Sequence, residues 1–249
     1  MSARTEEAVL ASGIGPAVRP ALTREMAKMA HIWGKDMRIE WRNLDNVPAM
    51  FFFSLLILVI FNFGFDFATA EFLSIGPGVL WVAFTFSGVL SFSNSFALER
   101  DGDCLQGLML APVDPGSVYL GKLLANLTSM LLVETALVPL SAVFFGYDLW
   151  PVLGPLAAVL LIHTLGFAAV GTLFGALTAR TRRGDVLLPI LMFSMSVPLM
   201  ISAVSTTAAV LAKEALLSGR ASAWLTMAGV FDLVFVTAAF LTFEFLIEE

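Results

Sequence analysis

Hydrophobic runs long enough to cross a bilayer recur along this chain, and polar positions gather in the breaks between them. The runs cover roughly residues 48–66, 77–97, 118–145, 151–178, 186–204 and 223–247. Each approaches or exceeds the about 20 residues that span about 30 Å of hydrocarbon. The pattern predicts an all-α polytopic membrane protein with six transmembrane helices in a permease domain over 48–247. Ser205 to Ser222, with Lys213 and Glu214 among alanines and leucines, reads as a short external or partly re-entrant helix.

The segment before the first span has a helical period. Leu22, Met26, Met29, Trp33, Met37, Trp41 and Leu44 recur every three or four residues, opposite Arg24, Lys28, His31, Lys35, Arg38 and Arg42. This predicts an amphipathic interfacial helix over 21–45, its apolar side toward acyl chains and its cations near anionic headgroups. Trp33, Trp41, Lys28, Lys35 and Arg38 are the expected membrane-surface anchors. A helix packed on another subunit is the alternative. The stripe runs straight into a membrane span, which argues against a nucleic-acid partner. Residues 1–20, rich in Ala, Gly and Pro, predict a disordered cytoplasmic tail.

The longest polar interruption between spans is 98–117. Glu99, Arg100, Asp101 and Asp103 come first, then Leu105, Leu108, Met109 and Leu110, then Pro112 and Pro115. A short amphipathic helix ended by prolines has the shape of a docking element for a cytoplasmic partner. Orientation follows from basic residues. Of the 14 Lys and Arg, seven precede the first span, Arg100 and Lys122 flank the 98–117 loop, and Arg180, Arg182 and Arg183 separate spans four and five. Only Lys213 and Arg220 remain for the other side. The bias predicts that both termini and the 98–117 loop are cytoplasmic.

Composition agrees with this reading: 58% of residues are hydrophobic and 14% charged, against about 25% charged in soluble domains. Cys104 is the only cysteine, which excludes an internal disulfide framework and a Cys-x-x-Cys-His haem attachment. No apolar stretch lies near Met1, so no cleavable signal is expected and insertion relies on the internal spans.

Candidate chemistry is sparse. Gly116 to Lys122 fits G-x-x-x-x-G-K, but Leu123 stands where a magnesium-binding Ser or Thr belongs and no strand precedes it, so this chain is not expected to hydrolyse ATP. No metalloprotease, serine-hydrolase or metal-ligand spacing occurs, and a non-catalytic subunit is expected. Glu134, His163 and Asp232 fall inside spans, where ionisable groups are costly and mark functional positions or helix-to-helix hydrogen bonds. His163 is also a conceivable haem ligand, with no second ligand in view. Gly166, Gly171 and Gly175 give span four a surface for close helix approach, within the subunit by default. Pro139, Pro189 and Pro198 predict kinks in spans three and five.

Three segments carry a family resemblance. Ile75-Gly-Pro-Gly-Val-Leu-Trp-Val82 opens the second span. Glu99-Arg-Asp-Gly-Asp-Cys-Leu-Gln-Gly-Leu-Met-Leu-Ala-Pro112, with Gly121-Lys-Leu-Leu124, fills the loop and the entry of span three. Thr181-Arg-Arg-Gly-Asp-Val-Leu-Leu-Pro-Ile190 forms a basic turn and leucine run. In order and at these topological places they resemble the CcmB-type haem exporter permeases of cytochrome c maturation, within the ABC-2-type export permeases, over about residues 30–247. The resemblance implies a separate CcmA-like ATPase subunit that carries the ATP, and two copies of each. It implies CcmC-like and CcmD-like membrane subunits, a periplasmic haem chaperone and a bacterial inner-membrane location. Haem is then substrate, not a cofactor held by this chain. Glu99, Arg100, Asp101, Gly102, Leu105, Leu108 and Met109 become the ATPase-coupling residues. The chain lacks the Trp-rich external segment and paired histidines of CcmC-type proteins, so direct haem presentation is not its expected task. An export permease for another hydrophobic substrate, or a mechanical assembly subunit, would share the same architecture.

Overall fold

The computed structural model describes residues 18–43, 46–64, 69–101, 114–179, 181, 183–217 and 219–248. Among the described residues seven α-helices follow one another: α1 (Val18–Asn43), α2 (Asn46–Gly64), α3 (Thr69–Asp101), α4 (Pro115–Phe145), α5 (Leu153–Ala179), α6 (Gly184–Leu211) and α7 (Gly219–Glu248). A single 3-10 turn, Trp150–Val152, precedes α5, and no strand occurs among the described residues. Six helices, α2 to α7, are long and apolar enough to cross a membrane.

Local signals set several boundaries. Asp114 caps α4 by accepting the Ser117 N–H at 3.2 Å, with Pro115 in the first turn where its missing N–H costs nothing. At the far end Gly146 turns left-handed (φ 69°) and donates its N–H to the Ala142 carbonyl at 2.9 Å. The α5–α6 turn is closed by Thr181 N–H to Thr178 O at 2.9 Å and Gly184 N–H to Thr181 O at 3.0 Å. A Cβ at Gly184 would collide with the Thr178 carbonyl, so this turn of the Arg-Arg-Gly segment requires glycine.

Some elements differ from expectation. No separate helix occupies 205–222: α6 runs on to Leu211, a short turn with Lys213 at φ 60° follows, and α7 begins at Gly219. The Lys213–Glu214 pair supplies the turn at the end of a span. The helix before the first span begins at Val18, inside the stretch expected to be tail. Pro77 lies within α3, which starts at Thr69, and Pro139, Pro189 and Pro198 lie within α4 and α6. Packed neighbours let membrane helices continue through proline.

Packing sorts the spans into inner and outer. Helix α5 touches α3, α4, α6 and α7, while α3 touches α2, α4, α5 and α6. Helices α2 and α7 are outermost, with Phe52, Leu56, Ile60, Leu233, Val234 and Leu241 exposed to the position of lipid. The centre is filled by Phe84, Phe92, Met130, Leu137 and Phe167. Two glycines admit these side chains. Gly88 of α3 lies under Phe167 and Met130, and Gly171 of α5 lies under the Phe92 ring. On span four, Gly171 therefore serves α3–α5 contact and Gly166 contact with α6 and α7, both inside the subunit.

Candidate functional site

Two sets of polar side chains are built into this frame. The first lies among the spans. Glu134 of α4 is buried, and the Thr164 hydroxyl of α5 lies 2.8 and 3.0 Å from its two carboxylate oxygens. His163, one residue earlier on α5, is fully buried. Its Nδ1 lies 2.8 Å from the Val159 carbonyl and its Nε2 2.9 Å from Ser202 Oγ of α6, which in turn lies 2.7 Å from the Trp224 carbonyl of α7. Both ends of that chain are carbonyls, which only accept. Its three contacts need three hydrogens, and a neutral imidazole plus a hydroxyl carry two. Both ring nitrogens face protein groups, and Trp81 packs on the ring at 5.6 Å between centroids. The Trp81 indole donates to Thr207 Oγ1 of α6 at 2.8 Å.

Asp232 of α7 is 7% exposed, and its Oδ1 has no hydrogen-bond partner among the described residues. It projects into the gap left by Gly166 of α5, where a Cβ would overlap the carboxylate. Glu134, His163 and Asp232 are thus each applied to α5 or carried by it. Their immediate partners are hydroxyls, carbonyls and a glycine gap. A lysine buried in the bundle does exist, Lys122 at 4% exposure, but its carboxylate partner is Asp36 of α1.

The second set joins α1 to the bundle. The side of α1 that faces the bundle includes Glu25, Met29, Ile32, Asp36 and Glu40, spaced by three or four residues. Ile32 is its most buried member and rests on Gly121 of α4, where an added Cβ would lie 2.8 Å from Ile32 Cβ. Carboxylates flank this contact. Glu25 accepts from Ser117 Oγ at 2.8 Å and from Lys28 at 2.8 Å, and the Lys28 and Ser117 bonds hold its pKa below the usual carboxylate value. Asp36 lies 3.5 Å from Lys122 Nζ and 3.0 Å from Lys35 Nζ. Glu40 accepts from the Asn46 amide of α2 at 2.7 Å. Burial pushes its pKa up, against the lowering effect of Asn46 and with a small addition from Asp36. Asn46 also donates to Ser91 of α3 at 3.0 Å and accepts from Asn94 at 3.3 Å.

The expected anchors divide accordingly. Trp41 is 66% exposed, and Arg38 and Lys35 are exposed as well, Lys35 with its Nζ on Asp36. Trp33 instead combines partial exposure with an indole bond to Thr128 of α4 at 3.2 Å. Lys28 is half-buried beside Glu25. The helix therefore holds the bundle by a mixed carboxylate–isoleucine ridge, and the single apolar stripe expected from periodicity is split between solvent-side and bundle-side positions. The Gly116–Lys122 segment lies in the first turns of α4, with Gly116 against Phe240 of α7 and Lys122 on Asp36.

Glu99, Arg100 and Asp101 fall in the last turn of α3. Gly102, Leu105, Leu108 and Met109 lie outside the described residues, as do Arg180 and Arg182. The sequence reading passed over Thr164, Ser202, Trp81 and Thr207, because a hydroxyl or indole in a span is too common to mark a site. Asn46, a polar residue at the mouth of a span, offered a signal that was not used.

The sequence profile of the CcmB protein family matches residues 27–246. The chain is similar to Heme exporter protein B of Paracoccus denitrificans, 31% identical over 170 residues that make up 67% of this chain and 76% of the relative. It is also similar to Heme exporter protein B of Rhodobacter capsulatus, 29% identical over 177 residues, 70% of this chain and 79% of the relative. Against Heme exporter protein B of Escherichia coli K12 the identity is 30% over 176 residues, 69% and 78% of the two chains. With the profile match running from α1 into α7, this chain is a multi-pass membrane protein that belongs to the CcmB family.

Proposed function

We propose that this chain is the membrane permease subunit of an ABC-type haem-export system for cytochrome c biogenesis. A separate CcmA-like ATPase hydrolyses ATP at the cytoplasmic face and bears on the 98–117 segment. The six-helix body passes that motion to the periplasmic side, where haem export or release of the haem-loaded chaperone follows. CcmC-like and CcmD-like subunits complete the assembly, with two copies of this chain, in a bacterial inner membrane with both termini cytoplasmic. The observation that carries this reading is the family match across the whole helical body. The basic-residue bias supports the orientation, and the charged-then-apolar order of 98–117 supports the ATPase contact through an apolar anchor with a polar rim.

Packing favours a lever over a conduit through one subunit. Phe92 and Leu137, with Phe84 and Phe167 at 2% exposure, occupy the centre of the bundle. A deletion strain complemented by this chain tests the reading. Wild type restores c-type cytochromes, while Leu105→Asp or Glu99→Lys lowers co-purification of the ATPase about tenfold at normal membrane levels. Failure of wild type to restore any c-type cytochrome removes the haem-export assignment. Normal pull-down and normal stimulated ATPase activity for both variants remove the coupling role of 98–117.

A further inference from the structure

Where α1 crosses the ends of α3 and α4, the side chains leave a cavity of about 70 Å³. Its floor is Lys122, Asn126 and Ser129 of α4, all buried, and its rim is Lys35, Asp36 and Glu40 of α1. The volume is far below the about 300–1,000 Å³ of sites for drug-sized ligands. A haem does not fit. A small polar group does.

Depth points to the headgroup layer. Helix α4 has 31 residues and is therefore about 46 Å long, exceeding the about 30 Å hydrocarbon by roughly 8 Å at each end. Lys122 lies about 10 Å along it, at the edge of the hydrocarbon. Ile39, 40% exposed, forms an apolar lip beside the cavity.

Charge points to the kind of headgroup. Two ammonium groups and two carboxylates line the site, a balance of zero. A bare anion or cation would upset that balance, and a zwitterion preserves it. We propose that this cavity binds the headgroup of phosphatidylethanolamine, its phosphate toward Lys35 and Lys122 and its ammonium toward Asp36 and Glu40, with the acyl chains leaving past Ile39. The ammonium carries N–H donors for the carboxylates, which the quaternary nitrogen of phosphatidylcholine lacks.

The test is native mass spectrometry of the full-length chain, purified in detergent and titrated with phosphatidylethanolamine, phosphatidylglycerol, phosphatidylcholine or acyl-free phosphoethanolamine. Wild type should retain phosphatidylethanolamine about fivefold or more over each of the others. Glu40→Gln, which keeps an oxygen for Asn46 and leaves the site net positive, should turn the preference toward phosphatidylglycerol. Ser129→Leu should fill the floor and abolish the selectivity. Equal retention of the three lipids by wild type overturns the proposal, as does unchanged preference in Glu40→Gln. Acyl-free phosphoethanolamine binding as tightly as the lipid overturns the membrane source of the ligand. If Ser129→Leu fails to elute as a monodisperse helical protein, the wild-type ratios and Glu40→Gln still decide.

Discussion

Carboxylates lie buried or half-buried at two levels of this molecule and are matched in different ways. Inside the spans Glu134 faces the Thr164 hydroxyl and Asp232 faces a gap at Gly166. Where α1 meets the bundle, Asp36 faces Lys122 and Glu40 faces Asn46. In hydrocarbon an ion pair must overcome a large desolvation cost, whereas one hydroxyl bond fixes the register of two helices with less charge to bury. Where the pair is partly exposed that cost falls, and the Asp36–Lys122 pair holds α1 against α4. The interior set is built for position and the peripheral set for attachment.

That contrast can be broken by four measurements. The largest effect should come from Gly166→Leu, which forces a side chain into the space of the Asp232 carboxylate. Overpacking of this kind should lower stability by about 3 kcal/mol, read as loss of folded protein in a detergent-unfolding titration. A stable variant would show that the Asp232 gap is not a fixed part of the packing. Next, Glu134→Leu removes the acceptor of Thr164 and should cost about 1–2 kcal/mol, while Glu134→Gln, which keeps an oxygen, should lie within about 0.6 kcal/mol of wild type. Lost cytochrome c maturation in Glu134→Gln at normal membrane level would move Glu134 from scaffold to moving part.

Asp36→Asn should loosen α1 by about 1 kcal/mol, since the pair is part-exposed, and the loss should shrink at high salt. Quenching of Trp33 fluorescence by a water-soluble quencher reports it. The same salt series should leave Glu134→Leu unchanged, and equal salt sensitivity at both sites would erase the distinction. The smallest effect is that of pH. The pKa of Glu25 is lowered in the docked state, so its contribution is complete above the usual carboxylate value and is lost as pH falls through the lowered one. The pKa of Glu40 is raised, so its contribution is present below the usual value and is lost as pH rises through the raised one. Trp33 quenching should therefore be least near the ordinary glutamate value, increasing as pH falls through the lowered pKa of Glu25 and also as pH rises through the raised pKa of Glu40.

The membrane body was legible because long apolar runs leave few alternatives: all six spans are present at the expected places. What misled were residues whose local preference is overruled by neighbours. Pro77 reads as the start of a helix and lies inside one, and Lys213–Glu214 reads as the centre of a helix and forms a turn. For α1 the existence and direction were plain from a period of three to four. Its contact side was not, because Glu25 and Asp36 count as polar until Ser117 and Lys122 are brought opposite them from a helix far along the chain. Glu134, His163 and Asp232 were visible as exceptions to hydropathy, but their partners Thr164, Ser202 and Gly166 carry no charge to betray them.

The bond between Trp33 and Thr128 joins positions 95 residues apart. A ribosome adding about 5–20 residues per second needs about 5 to 20 s to travel that far. For that interval α1 exists without the helix that will receive it. On the reading that α1 lies on the lipid surface, its exposed Trp41 and cations give it a place to rest while the later spans are threaded. The two-sided character of α1 is then a timetable as much as a contact: one side serves the nascent chain, and the other serves the finished bundle.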